Sequence, residues 1–201
     1  MKLKAINQLK SVDVLKVLEE TGAILKGHFK LTSGLHSSYY LQCAKLLQYP
    51  QKTSMLLDAA LNEFREKINS YEIETIISPA IGGILFGYML AYKLGVRMIF
   101  TERKEKKMEL RRGFEIKSGE KVLIAEDVIT TGGSVLEVID ICRNSNAEIK
   151  GIICIVDRSQ NFFIDLPFYY LIKINVENFL PQNCPLCKKN VKFYYPGSRN
   201  L

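Results

Sequence analysis

From Tyr71 onward the chain is built of short apolar runs set between longer stretches of helical rhythm. The runs are ETIIS, VRMIF, KVLIAE and IKGIICIV, and the intervening stretches include GILFGYMLAYKLG and GSVLEVIDICRN. An apolar run of this length without polar alternation reads as a strand buried on both faces. A parallel sheet covered by helices buries strands in that way. After Asp157, FYYLIKI reads as a last strand and the polar remainder as an appendage. The fold class is therefore α/β, a mostly parallel sheet flanked by helices. At 201 residues the chain fits one domain over 1–201.

The segments flanking this core are expected to form a small cap or hood, drawn from 1–45 and 158–201. SVDVLKVLEETG predicts a helix with Ser11 as its N-cap and Gly22 beyond its end. GHFKLTSGLHSSYYLQC mixes aromatic, β-branched and turn residues, which predicts short strands around Ser33-Gly34. A longer helix is expected from Pro50 to Ile68, with Met55, Leu56, Ala59, Ala60 and Phe64 on one face.

Residues 122–134, VLIAEDVITTGGS, concentrate the chemistry. In a parallel sheet ligands bind beyond the carboxyl ends of the strands. KVLIAE places Glu126 and Asp127 at that edge, and VITTGGS turns into a helix starting near Ser134. Gly132 and Gly133 permit positive φ and close approach of a ligand to the backbone. The amides of Val128, Ile129, Thr130, Thr131, Gly132, Gly133 and Ser134, backed by a helix N-terminus, make a donor array for a phosphate. Thr130, Thr131 and Ser134 add hydroxyls. Adjacent carboxylates repel a bare phosphate, so they suit the hydroxyls of a sugar whose phosphate lies in the loop. They also suit Mg²⁺, directly or through water, because that cation prefers oxygen ligands.

The net charge of +7 favours anionic partners. Six basic residues fall within ERKEKKMELRR, at 102–112, beside three acids. That segment reads as an exposed loop meeting a compact anion rather than a nucleic-acid stripe. No apolar run approaches the length needed to span a bilayer, and MKLKAINQLKS lacks the apolar core of a secretory signal. Cys43, Cys142 and Cys154 lie in apolar contexts and read as small buried hydrophobes of a reducing compartment, the cytoplasm. Cys184 and Cys187 form a CxxC that offers half of a zinc site, with no second CxxC or CxxH to complete it. A plain turn is the favoured reading there, ahead of a Cys₄ site completed across a dimer axis. His28 and His36, the only histidines, read as surface residues.

The 122–134 stretch resembles the sugar-phosphate signature of the type I phosphoribosyltransferases. The resemblance implies that Glu126 and Asp127 contact ribose hydroxyls and that residues 128–134 hold the 5′-phosphate of phosphoribosyl diphosphate. GHFKLTSGLHSSYYLQC, SPAIGGILFG, the basic segment and IVDRSQ, taken together, are similar to the orotate-using branch of that family. This likeness runs from about Gly27 to Gln160.

It implies transfer of the phosphoribosyl group to orotate with Mg²⁺, giving orotidine 5′-monophosphate and diphosphate, a step of pyrimidine biosynthesis. Arg158 and Thr130 would contact orotate, with Tyr40 near the base; a planar guanidinium also suits orotate's carboxylate on chemical grounds. Arg103, Lys104 and Lys107 would belong to a mobile lid acting on the neighbouring subunit of a homodimer. Glu126, Asp127 and Lys104 would be the residues of catalysis. The chain departs from better-known members at Ile81-Gly82, where they carry Tyr-Lys, at Thr32, where they carry Lys, and at Glu109, where they carry His. The competing readings are a transferase for a purine or uracil, and a nucleic-acid-binding regulator on the same fold.

Overall fold

The computed structural model describes residues 3–31, 33–69, 72–160 and 162–196, so Thr32 lies outside the described residues. In chain order the elements are β1 (Lys4–Asn7), α1 (Val14–Glu20), β2 (Ile24–Lys30), β3 (His36–Leu41), α2 (Ala44–Leu47) and α3 (Pro50–Asn69). These are followed by β4 (Thr75–Pro79), α4 (Gly82–Leu94), β5 (Arg97–Lys104), β6 (Lys107–Leu110), β7 (Lys121–Ile129) and α5 (Gly133–Asn144). The chain closes with β8 (Glu148–Asp157), β9 (Phe168–Asn175), β10 (Asn178–Phe179), a 3₁₀ turn over Pro181–Asn183, and the one-turn α6 (Pro185–Lys188).

The main sheet has seven strands in the order β1-β9-β8-β7-β4-β5-β6. The five central strands run parallel, and β1 and β6 close the edges antiparallel. The expected apolar runs are those parallel strands. β4 is buried along its whole length and β8 over its last seven residues, because helices cover both faces. Strand order reverses between β4 and β7: β5 continues outward from one, β8 and β9 from the other. That reversal opens a crevice at the carboxyl ends of β4 and β7.

A second, three-stranded sheet of β10, β3 and β2 forms the hood. Only part of each flank goes there. β9 carries buried Tyr169, Leu171, Ile172 and Ile174, and β1 extends the main sheet beside it through the register Lys4↔Asn175 to Asn7↔Ile172.

Three local expectations are corrected. Asp13, not Ser11, caps α1, and its side chain accepts the Lys16 amide at 3.2 Å. The buried stripe of α3 is Thr53, Leu56, Leu57, Ala60 and Phe64, with Ala59 beside it, whereas Met55 is exposed. Spacing of three and four residues selects that stripe, and Met55 falls about 100° off it. His28 and His36 are not surface residues: both are buried, against the Cys184–Cys187 turn. The C-terminal tail packs over both, a contact made across more than 140 residues of chain. Cys43, Cys142 and Cys154 are buried and unpaired, as their contexts imply.

Helix α4 is apolar on both sides. Phe86, Leu90 and Ala91 face the sheet, while Ile81, Leu85, Tyr88 and Tyr92 form an exposed stripe. All five cysteines are free thiols. Among the described residues no helix is long and apolar enough to cross a membrane.

Candidate active site

Strand β7 carries the carboxylates within its last turns rather than beyond its end, for the strand continues through Ile129. Its partner across the crevice is the N-terminus of α4, where two glycines allow unusual proximity. A Cβ on Gly82 would stand 2.5 Å from Asp127 Oδ1, and one on Gly83 would stand 2.9 Å from the Ala125 carbonyl and 3.1 Å from Glu126 Oε1. Any larger residue would push the helix off the acids. The glycines of SPAIGGILFG thus serve close approach, not a left-handed turn.

Both carboxylates are tied to local backbone. The Asp127 amide donates to Glu126 Oε1 at 3.0 Å, and the Val128 amide donates to Asp127 Oδ1 at 2.9 Å. Neither has a salt-bridge partner among the described residues. Glu126 is 8% exposed. Burial first, and then the charge of Asp127, pushes its pKa up to about 9. Burial likewise raises Asp127. A buried acid beside a half-buried one, without a cation, holds a proton it would otherwise lose.

The next residues make the anion cradle. Thr130 and Thr131 are exposed, and Gly132 adopts φ +78°, a left-handed conformation at the N-cap of α5. Gly133 is already helical, so only one of the two glycines supplies positive φ. Gly132 offers no side chain to cap α5, and apart from a long 3.5 Å bond from the Gly133 amide to the Thr131 hydroxyl its first amides line the recess over Glu126 and residues 128–135. The Phe162 ring lies against this turn. A Cβ on Gly132 would come within 2.3 Å of it, so glycine is required twice over.

The recess adjoins a cleft of about 910 Å³ between the sheet edge and the hood. Asp127, Val128, Thr130, Thr131, Arg158 and Tyr40 all line it. Arg158 follows β8, and its amide donates to the Ile129 carbonyl at 2.8 Å, which ties it to the cradle. The adjacent Asp157 does not neutralise it. That carboxylate accepts Lys173 at 2.7 Å, the Ser159 amide at 2.8 Å and the Ser159 hydroxyl at 2.6 Å. Arg158 has no salt bridge among the described residues, and burial draws its pKa down. A half-buried guanidinium facing a cleft without a carboxylate partner is a receptor for an anion. Lys30, Phe162, Tyr194 and Tyr195 also line the cleft and had no signal in the sequence, because their neighbours arrive from distant segments.

The basic segment differs from expectation. It is not an irregular loop but the β5–β6 hairpin, turning at Glu105 and Lys106, whose φ of +48° and +72° suits a two-residue connection. Arg103 pairs with Glu137 of α5 at 2.6 Å, and the same carboxylate accepts the Met108 amide at 2.8 Å. Arg112 pairs with Glu102 at 2.7 Å. Lys104 and Lys107 are exposed. The structure therefore gathers Glu126, Asp127, residues 128–134, Tyr40 and Arg158, and leaves Arg103, Lys104 and Lys107 outside the cleft.

Two outcomes follow from this geometry. Above the ordinary carboxylate pKa of 4.5, an unfolded chain releases the Glu126 proton, whereas the folded chain keeps it up to about 9. Stability is thus lost as pH rises through that window. Glu126→Gln removes the loss, so its stability advantage over the parent should grow between pH ~5 and ~9, by about 1–3 kcal/mol in urea titrations. A constant difference across pH would contradict the burial of that carboxyl. Gly132→Ala should retain the far-ultraviolet circular dichroism of the parent while phosphate protection against thermal unfolding disappears.

Comparison with known proteins agrees with this geometry. Residues 51–179 match the family described as "Phosphoribosyl transferase domain". The orotate phosphoribosyltransferase of Caldanaerobacter subterraneus subsp. tengcongensis is 46% identical over 189 residues, covering 94% of this chain and 97% of the relative. That of Chlorobium phaeobacteroides is 47% identical over 187 residues, 92% and 95% of the two chains. The crystal structure of orotate phosphoribosyltransferase from Aeropyrum pernix superposes with a TM-score of 0.64 at 29% identity, over 73% of this chain and 82% of that one. By family match and by full-length similarity, the chain belongs to the orotate phosphoribosyltransferases of the phosphoribosyl transferase family.

Proposed function

We propose that this protein transfers the phosphoribosyl group of phosphoribosyl diphosphate to a ring nitrogen of orotate, forming orotidine 5′-monophosphate and diphosphate. One observation supports the reading above others. An acidic pair and an uncapped glycine turn adjoin each other at the strand-order reversal, and both open on a cleft whose arginine lacks a carboxylate partner. The acids fit a sugar, the turn its phosphate, and Arg158 the orotate carboxylate. A purine or uracil would leave that guanidinium without a counter-ion. The relatives named for orotate extend over nearly the whole chain, which a nucleic-acid regulator on this fold would not predict.

The chemistry asks little of acid–base groups. Rupture at the anomeric carbon builds positive charge on the ribose and negative charge on the departing diphosphate. Glu126 and Asp127 orient the ribose hydroxyls. Negative charge on the pair offsets the positive charge that grows on the ribose in the transition state. Orotate arrives anionic, and no general base is required. The two carboxylates have the oxygen donors that suit Mg²⁺, directly or through water. When bound with the diphosphate, that ion supplies neutralisation of the leaving group's charge.

The lid residues Arg103, Lys104 and Lys107 are assigned to a neighbouring subunit's site. The exposed α4 stripe of Ile81, Leu85, Tyr88 and Tyr92 supports a homodimer, since a helix apolar all round is covered in the working assembly. A hairpin held by Arg103–Glu137 would exchange that pair for the diphosphate on closing. The five unpaired cysteines accord with a cytoplasmic location.

Incubating the protein with orotate, phosphoribosyl diphosphate and Mg²⁺ should deplete orotate's ultraviolet absorbance in step with diphosphate release. Arg158→Ala should raise the KM for orotate by about 10- to 100-fold, the loss of a charged bidentate contact, with little change in KM for phosphoribosyl diphosphate. No turnover by a folded protein would refute the assignment. Sedimentation should give twice the chain mass, and Leu85→Glu with Tyr88→Glu should give a monomer with turnover much reduced. A fully active parent monomer would refute the lid acting in trans.

A further inference from the structure

His28, His36, Cys184 and Cys187 converge beneath the hood, away from the reaction cleft, with their donor atoms all within 4.8 Å of one another. Four of the six separations are those of ligands on a single ion. His28 Nε2 lies 3.3 Å from His36 Nδ1, 3.5 Å from Cys184 Sγ and 3.7 Å from Cys187 Sγ, and Cys187 Sγ lies 3.2 Å from His36 Nδ1. Tetrahedral zinc, with Zn–N of about 2.0–2.1 Å and Zn–S of about 2.3 Å, sets N···N near ~3.3 Å and S···N near ~3.6 Å. We infer that these four side chains bind one Zn²⁺ within a single chain, as a closed Cys₂His₂ site.

The surroundings fit that ion. His28 Nδ1 donates to the Val191 carbonyl at 2.7 Å, which fixes the tautomer and turns the Nε2 lone pair inward. Phe193 covers both imidazoles, with ring centroids 4.0 Å from His28 and 4.8 Å from His36. Both histidines and Cys184 are buried. Two thiols give up two protons as the ion enters, and a divalent cation with two thiolates and two neutral imidazoles carries no net charge. Such a complex suits a site without other counter-ions. The soft sulfur and imidazole donors select zinc over Mg²⁺. All four positions come from protein, so the ion is structural and has no open position for chemistry.

What it joins is informative. His28 lies on β2 and His36 on β3, whereas Cys184 is the N-cap of the one-turn α6 and Cys187 lies within it, some 150 residues later. Beyond them the Tyr194 amide donates to the His28 carbonyl at 2.8 Å, and Tyr194 and Tyr195 line the cleft. The ion holds a mostly polar tail against the hood and so keeps one wall of the orotate cleft in place. The site itself does not rest on the assigned reaction, because its occupancy is read without turnover.

The test is metal content of the full-length protein, purified under reducing conditions from zinc-supplied cells. Plasma emission should find one zinc per chain, retained through dialysis. Cys187→Ser and His36→Gln should lose it, while Cys142→Ala should keep it. Should the ligand variants fail to fold, cobalt exchange into the parent decides: tetrahedral sulfur coordination gives a thiolate-to-cobalt charge-transfer band and intense visible absorption. Folded parent protein with zinc far below one equivalent and no such band would overturn the proposal. So would a Cys184–Cys187 disulfide in protein kept anaerobic throughout.

Discussion

The crowding of Glu126 and Asp127 at the carboxyl end of β7 constrains most of what surrounds it. A buried carboxylate beside a half-buried one, without a cation, is costly, and the neighbouring segments are shaped to hold them there. Gly82 and Gly83 bring the start of α4 to within contact of the acids, where any side chain would collide. The partial positive charge of that helix end offsets part of the repulsion. The rest is relieved by a retained proton, which is why Glu126 titrates so far above an ordinary carboxyl. An acid pair kept in this state is poorly suited to stability.

Around this centre the parallel sheet divides the labour by position. The reversal of strand order between β4 and β7 leaves a crevice where two helix N-termini meet, one facing the acids and one behind the glycine turn. Arg158 reaches the same crevice from the next strand because its amide is pinned to Ile129. Asp157, its neighbour in sequence, is taken up by Lys173 and Ser159 on the other side of the strand. The end of β8 thus separates a paired acid from an unpaired base, and the unpaired Arg158 lines the cleft. The hood completes the cleft from a separate small sheet, held to the C-terminal tail by the His28, His36, Cys184 and Cys187 cluster.

Much of this was legible in the residues. The parallel strands, the helices between them, the acid pair, the glycine turn and Arg158 all follow from short-range pattern and chain order. The failures have one physical source. Met55 and Ser11 were misplaced because a helix face and a cap depend on which neighbour the helix meets. The basic segment looked irregular because the pairing of β5 with β6, and of Arg103 with Glu137, cannot be read from composition. Cys184-Pro-Leu-Cys187 looked like half a site because its histidines lie in a different segment, each hidden by a strand that the sequence shows only as aromatic and polar.

The sequence by itself determined the sheet, the position of the acids relative to the cradle, and the class of chemistry, since each is written in contiguous residues whose spacing follows strand and helix periods. Only the tertiary structure decided which cations are free, how strongly the carboxyls hold their protons, and that two histidines and two cysteines share one centre. Those properties depend on burial and on contacts between segments far apart in the chain, and free energies of burial and pairing are set by what surrounds a group rather than by what precedes it.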